Sequence, residues 1–138
     1  MAHFMLVCLP MGRIRSILVV DDDAPMREMV VVMLQEQGIE AVGAESADAA
    51  MEVLRGHGFD AVLTDMQMPG KTGMELLLET RALEPRTAVI VMTSFADAEA
   101  FDRFTQAGAF GCLSKPFSRE DLQAALAGSG PIDFDPAR

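Results

Sequence analysis

Short apolar runs alternate with amphipathic segments along most of the chain. The apolar runs have the length of buried strands and occupy residues 17–20, 39–42, 61–64, 88–92 and 110–113. The segments between them carry apolar residues at helical spacing and cover residues 24–37, 46–55, 74–83, 97–107 and 118–127. Because helices alternate with strands, the pattern predicts an α/β fold in which one five-stranded parallel sheet is covered on both faces.

Polar residues mark where the predicted helices begin. Asp23 and Ser46 are placed to cap the first two helices, and Ser118 begins a capping-box pattern before the last one. Apolar residues of the first helix are expected on one buried side: Met26, Met29, Val30, Met33 and Leu34. We interpret the methionines among them as core residues rather than as a functional feature.

Composition limits the functions open to this chain. Half of its residues are hydrophobic, which is enough for one domain with its own core. Lys and Arg total 11 against 21 Asp and Glu, and the net charge of −10 argues against direct nucleic-acid binding. Cys8 and Cys112 follow no metal-ligand spacing, and two isolated thiols suit a reducing cytoplasm. The apolar stretch at residues 3–10 is too short to span a membrane and lacks the basic start of a signal peptide.

The two ends of the chain differ from its middle. Residues 1–15 are expected to be an N-terminal extension, 16–127 the folded domain, and 128–138 a tail or the stub of a linker. Two interpretations of the first ten residues stay open: an unstructured extension before an alternative start at Met11, and a packed N-terminal arm. No second domain is expected after the tail.

Residues with chemically active side chains stand where the predicted strands end. Asp21 and Asp22 follow the first strand, Asp65 the third, Thr93 the fourth and Lys115 the fifth. Ligands of open α/β sheets bind at the carboxyl ends of the strands. We therefore expect these five side chains to converge on one edge of the sheet.

An acidic cluster of this kind needs a cation. Two carboxylates about 5 Å apart repel by roughly 3 kcal/mol at an effective dielectric of about 20. Carboxylates, a main-chain carbonyl and waters are ligands that Mg²⁺ accepts, and a metal with exchangeable waters also receives a phosphoryl oxygen. The cluster therefore indicates phosphoryl transfer to an aspartate. Lys115 is expected to pair with one phosphoryl oxygen, and Thr93 to donate a hydrogen bond to another.

Four strings at these strand ends resemble the receiver domains of two-component response regulators. They are ILVVDDD at residues 17–23, LTDMQMPG at 63–70, MTS at 92–94 and KPF at 115–117. Each string is weak alone, whereas the four in order are specific, and the resemblance extends over residues 16–127. It implies a flavodoxin-like, doubly wound sheet of strand order 2-1-3-4-5 and the function of a phosphorylation-dependent signalling switch.

The resemblance also implies which residues accept the phosphoryl group and bind the metal. Asp65 is expected to be the phosphate acceptor. Asp22, Asp65 and the main-chain carbonyl of Gln67 are expected to bind Mg²⁺ directly, while Asp21 acts mainly through a coordinated water.

The switch and its partners follow from the same resemblance. Thr93 is expected to move toward the phosphoryl group, Lys115 to neutralise it, and the Lys115–Pro116 peptide bond to be cis. The phosphodonor would be a phosphohistidine on a sensor histidine kinase or a histidine phosphotransfer protein. The output would be a downstream effector protein or an output domain outside these residues. The chain would act as a monomer or a phosphorylation-dependent dimer, away from membranes, and its own phosphorylation and dephosphorylation would be its only chemistry.

Three positions depart from, or vary within, the family pattern. Receivers usually carry an aromatic residue three positions before the lysine, and Cys112 stands there. Because Cys112 is too small to act as a moving ring, we expect signalling to depend on displacement near residues 93–97 or on Phe110. Gln67 and Phe95 occupy the positions that tune phosphoryl lifetime, and an apolar Phe95 should exclude water and prolong it.

Two other classes of protein compete with this interpretation. One is a pseudo-receiver that binds partners without phosphorylation, and the complete set of aspartates, threonine and lysine argues against it. The other is an aspartate-nucleophile phosphohydrolase, whose acidic pair on the first strand could be Asp21 and Asp23. That class leaves Asp65 unexplained.

Overall fold

Strands and helices alternate without interruption from Ser16 to Leu126 in the computed structural model, which describes residues 14–94 and 98–127. The strands are β1 (Ser16–Val20), β2 (Glu40–Ala44), β3 (Ala61–Asp65), β4 (Ala88–Thr93) and β5 (Gly111–Ser114). The helices are α1 (Ala24–Glu36), α2 (Ala47–Gly56), α3 (Gly73–Leu83), α4 (Ala98–Gln106) and α5 (Arg119–Leu126). The expectations for residues 1–13 of the N-terminal extension, for Cys8, for Phe95, for a helix start at Asp97 and for the tail lie outside the described residues.

All five strands are parallel and follow the order β2-β1-β3-β4-β5. The predicted flavodoxin-like α/β fold is therefore confirmed. Asp65 pairs in register with Met92, and Thr93 pairs with Ser114. The residues that follow β1, β3, β4 and β5 consequently meet at one edge of the sheet.

Alternate strand residues enter two separate cores. On one face Ile17 and Val19 pack with buried residues of α1 and α5. On the other face Leu18 and Val20 pack with residues of α2, α3 and α4. The sheet is thus buried on both sides, as its nearly unbroken apolar strands predict. Within the described residues, no helix combines the length and apolarity that crossing a membrane requires.

The helix starts follow the predicted caps. The side chains of Asp23 and Ser46 accept hydrogen bonds from the main-chain N–H groups of Met26 and Ala49. Ser118 forms the expected capping box before α5, with the side chain of Asp121 accepting the N–H of Ser118 in return.

The prediction of a buried position is wrong for one residue of α1. Met29 is 49% exposed, whereas Val30, Met33 and Leu34 are buried as expected and Met26 is half-buried. The apolar stripe of α1 is wider than the face that the sheet covers, so a residue at its edge remains in solvent.

The second strand also differs from its prediction. It begins at Glu40 rather than Ile39 and continues to Ala44. The N–H of Ile39 donates to the carbonyl of Leu34, so this residue lies in the turn that follows α1 and not in the sheet.

Candidate functional site

Three aspartates meet at the carboxyl edge of the sheet. Asp21 and Asp22 follow β1 and Asp65 ends β3, and each offers a carboxylate oxygen within 4.8 Å of the other two. Their environments differ: Asp21 is 1% exposed, Asp65 is half-buried and Asp22 is exposed. The predicted acidic cluster therefore forms, with one carboxylate deep, one intermediate and one open to solvent.

Lys115 joins two of these aspartates. Its Nζ lies 3.1 Å from Oδ2 of Asp21 and 3.2 Å from Oδ1 of Asp65. The lysine follows β5, its main-chain N–H donates to the carbonyl of Thr93, and the Lys115–Pro116 peptide bond is cis, as expected. The ammonium group thus lies inside the cluster rather than in solvent.

Burial and charge work against each other in this cluster. Burial raises the pKa of Asp65 and the neighbouring Asp21 charge raises it further, while Lys115 lowers it, and the net result is a raised pKa. Burial alone would lower the pKa of Lys115, but its hydrogen bond to Asp21 and the charges of both aspartates outweigh burial and raise that pKa. Lys115 therefore remains a cation next to the carboxylate of Asp65, whose charged form is destabilised by burial and by the Asp21 charge.

A small cavity lies beside Asp65. It has a volume of about 140 Å³ and is lined by Asp65, Met66, Gln67, Thr93, Ser94 and Lys115. Thr93 is 2% exposed at the end of β4. A carboxylate, a hydroxyl and an ammonium group consequently line one cavity, which is the set of groups that binding and transfer of a phosphoryl group requires.

Arg27 is a site residue that the sequence analysis missed. Its Nη1 donates to the main-chain carbonyl of Asp21 over 2.8 Å, and its side chain packs against Gly43, with Cδ 3.0 Å from the place where a Cβ would stand. The carboxylate of Asp21 also accepts the N–H of Asp23. The sequence gives no clear signal for this contact, because Arg27 stands beside Glu28 and the first turns of α1 carry both charges.

The segment between Asp65 and α3 is held close to the site. The N–H of Gly73 donates to the carbonyl of Met66 over 2.9 Å, and Met68 is 7% exposed within the core. A Cβ at position 73 would meet the carbonyl oxygen of Asp65 and lie 2.8 Å from Cα of Met66. Thr72 and Glu75 close a capping box at the start of α3.

Cys112 is fully buried and is not among the residues that line the cavity. It belongs to the core cluster that contains Val91 and Phe101, and burial raises the pKa of its thiol to about 12. Cys112 is therefore a buried core thiol rather than a reactive one.

The fold and this edge of the sheet define a class of protein: a flavodoxin-like signalling domain with an acidic, lysine-containing site. The chain belongs to the response regulator receiver domain family, whose family model matches residues 17–127. The domain is accordingly a phosphorylation-accepting switch of two-component signalling, which is the general function of this family.

Curated relatives and solved structures agree with this family. The chain is 36% identical over 114 residues to the phosphate regulon transcriptional regulatory protein PhoB of Klebsiella pneumoniae, covering 81% of this chain and 50% of that protein. It is also 36% identical over 112 residues to the regulatory protein AtoC of Escherichia coli, covering 81% of this chain and 24% of that protein. The chain thus spans about half the length of PhoB, and less of AtoC.

Two solved structures share the fold over most of their length. A receiver domain protein of Clostridium thermocellum superposes with a TM-score of 0.77 at 31% identity, covering 83% of this chain and 94% of that one. Chemotaxis protein CheY4 of Vibrio cholerae gives a TM-score of 0.77 at 30% identity, covering 83% and 97%.

Proposed function

We propose that Asp65 accepts the phosphoryl group from a phosphohistidine of a sensor histidine kinase or a histidine phosphotransfer protein. The observation that carries this proposal is the position of Asp65 at a cavity, 3.2 Å from the Lys115 ammonium group. A carboxylate oxygen of Asp65 forms the new bond to phosphorus as the bond between phosphorus and the imidazole nitrogen breaks. The imidazole leaves with the electron pair and takes up a proton.

The donor set at this edge fits Mg²⁺. Asp22 and Asp65 would bind the ion directly with the main-chain carbonyl of Gln67, and Asp21 would act through a coordinated water. The carboxylate oxygens of the three aspartates lie within 4.8 Å of one another. Mg²⁺ prefers hard oxygen ligands of this kind. Bound Mg²⁺ supplies charge neutralisation at the phosphoryl oxygens.

The remaining side chains stabilise the product and begin the switch. Lys115 exchanges part of its pairing with Asp21 and Asp65 for a phosphoryl oxygen, and the Thr93 hydroxyl donates to another. New contacts of this kind shift the domain between two states, and a nearly complete shift requires about 5.5 kcal/mol of differential stabilisation. Self-phosphorylation and self-dephosphorylation are the only reactions that this proposal assigns to the domain.

Acetyl phosphate and Mg²⁺ test the acceptor directly. Intact mass should show one phosphoryl adduct on the parent chain and none on Asp65→Asn. Asp102→Asn, an exposed aspartate on α4, is the matched control and should keep the adduct. An adduct that persists in Asp65→Asn would refute the assignment. A parent chain that takes up no phosphoryl group would favour a pseudo-receiver, and phosphate release that persists in Asp65→Asn would favour a phosphohydrolase.

The route from Asp65 to a partner is expected to bypass Cys112. A buried thiol cannot act as a moving ring, so displacement near residues 93–97 or at Phe110 should carry the signal to an effector or an output domain. Cys112→Ala should therefore leave the partner's response to phosphorylation intact, and a large loss would contradict this route.

Phe95 is proposed to prolong the phosphorylated state by excluding water from the acceptor. This residue lies outside the described residues, and the proposal depends on its position two residues after Thr93. Phe95→Glu should speed the loss of the phosphoryl group, and an unchanged dephosphorylation rate would contradict the proposal.

A further inference from the structure

Lys71 connects the segment after Asp65 to two helices. Its Nζ lies 2.8 Å from Oε2 of Glu79 on α3 and 3.4 Å from Oδ1 of Asp48 on α2. Asp48 is 23 positions earlier in the chain and occupies the first turn of α2. One ammonium group thus joins the segment that follows Asp65 to both α2 and α3.

The bond to Glu79 is more than a loose surface pair. The side chains of Lys71 and Glu79 are only 37% and 39% exposed, and Oε1 of Glu79 is buried without a hydrogen-bond partner among the described residues. The hydrogen bond to Glu79 raises the pKa of Lys71, so the lysine is a cation at neutral pH. Asp48 is 80% exposed and contributes the weaker contact.

This contact lies between two other fixed points of the same segment. Met68 is buried in the core on one side, and Gly73 packs against the main chain of Asp65 and Met66 on the other. Gly70, between them, adopts a φ of 82°. Lys71 is therefore placed to limit how far the middle of the segment can move away from α2 and α3.

We propose that Lys71 is a positioning residue that holds the segment from Met66 to Thr72 against α2 and α3, so that the main-chain carbonyl of Gln67 is presented to the cation at the acidic cluster. The inference rests on the proposed Mg²⁺-dependent function. Lys71 itself does not line the cavity beside Asp65 and need not touch the phosphoryl group.

Electrostatics and positioning predict opposite effects when the lysine charge is removed. The chain carries a net charge of −10, so loss of one cation makes the acidic cluster more attractive to Mg²⁺. Loss of the Lys71–Glu79 contact instead leaves the Gln67 carbonyl less ordered before the cation binds, and this weakens Mg²⁺ binding. The sign of the change therefore separates the two effects.

Calorimetric titration with MgCl₂ of the parent chain, Lys71→Met, Lys71→Arg and Arg55→Met tests the proposal. We expect Lys71→Met to bind Mg²⁺ about three-fold more weakly, the scale of one half-exposed ion pair. Lys71→Arg should restore most of the affinity, because the guanidinium group can still pair with Glu79. Arg55→Met removes a cation from the exposed Arg55–Glu52 pair on α2 and should leave affinity unchanged or slightly higher. Equal or tighter binding by Lys71→Met would overturn the inference while leaving the proposed function intact.

Hydrogen exchange without Mg²⁺ provides a second readout that does not depend on the metal. Main-chain amides of residues 66–73 should exchange faster in Lys71→Met than in the parent chain, while amides of β1 and β4 should not change. If the parent chain binds no Mg²⁺, the metal-dependent part of the proposed function fails, and hydrogen exchange alone then tests whether Lys71 holds residues 66–73 in place. Unaltered exchange in these residues would exclude that positioning role.

Discussion

The charged carboxylate of Asp65 destabilises the folded domain as long as no cation neutralises it. Its pKa is raised, which means that burial and the neighbouring Asp21 charge together outweigh the attraction of Lys115. In the pH range between the unfolded value of 3.8 and this raised pKa, the native state binds more protons than the unfolded state. The free energy of unfolding therefore falls as pH rises through that range and stays lower at neutral pH.

Asp65→Asn should accordingly stabilise the metal-free domain at pH 7. We expect the free energy of unfolding to rise by about 1 kcal/mol, a common scale for one substitution, and its decline above pH 4 to become shallower. Urea denaturation without Mg²⁺ measures both quantities, with Asp102→Asn as the control for loss of one negative charge. A lower stability of Asp65→Asn would mean that the attraction of Lys115 exceeds the cost of burial and repulsion.

The convergence of the site residues on one edge of the sheet was predictable from the sequence. Several of the contacts around the site were not. Asp21 and Lys115 are 94 positions apart, yet parallel strands bring their carboxyl ends to one edge, so the element pattern suffices to bring them together. Arg27 and Lys71 are long, flexible side chains whose partners depend on how adjacent helices and loops pack. No periodicity or spacing in the sequence specifies those partners.

At the scale of elements, α3 begins where the end of β3 leaves no room for a side chain. Gly73 has no positive φ, so its role is space and not backbone freedom: a Cβ there would meet the carbonyl oxygen of Asp65. Main-chain atoms cannot rotate away as a side chain can, so either the end of β3 or the start of α3 would have to move. The capping box of Thr72 and Glu75 fixes the start of the helix at this residue.

Gly73→Ala should therefore destabilise the domain by about 1–3 kcal/mol, the usual cost of overpacking. Gly56→Ala is the matched control, since a Cβ built there, at the end of α2, meets no described atom within 4 Å beyond its chain neighbours and the backbone of its own helix. It should be neutral or stabilise by less than about 1 kcal/mol through the unfolded state. Equal free energies of unfolding for the two variants, measured by urea denaturation, would show that the end of β3 accommodates the methyl group.

Helix starts were easier to predict than helix faces. Asp23, Ser46 and Ser118 act locally, because each side chain caps an N–H group three residues ahead, and all three predictions are confirmed. The exposure of Met29 depends on the width of the sheet beneath α1, which a local pattern does not contain. The close approach at Gly73 likewise depends on the position of β3, which no local pattern contains.

For the whole molecule, a net charge of −10 adds a diffuse repulsion to the local repulsion at the acidic edge. Raising ionic strength from about 0.01 to 0.15 M shortens the Debye length from about 30 to 8 Å. NaCl should therefore stabilise the parent chain and every variant whose net charge stays close to that of the parent chain. A cation bound at Asp21, Asp22 and Asp65 adds a stabilisation that depends on its concentration relative to Kd, about 1.4 kcal/mol at ten times Kd.

Thermal unfolding in MgCl₂ and NaCl at matched ionic strength separates these two effects. We expect MgCl₂ to raise the Tm of the parent chain more than NaCl does, because only Mg²⁺ binds the clustered carboxylates. Asp22→Asn should lose this difference and keep the response to NaCl, since Asp22 is exposed and its removal leaves the core intact. Asp102→Asn changes the net charge equally and should keep both responses. Identical curves in the two salts for the parent chain would mean that the acidic edge acts through diffuse charge alone, and the Mg²⁺ site would have to be abandoned.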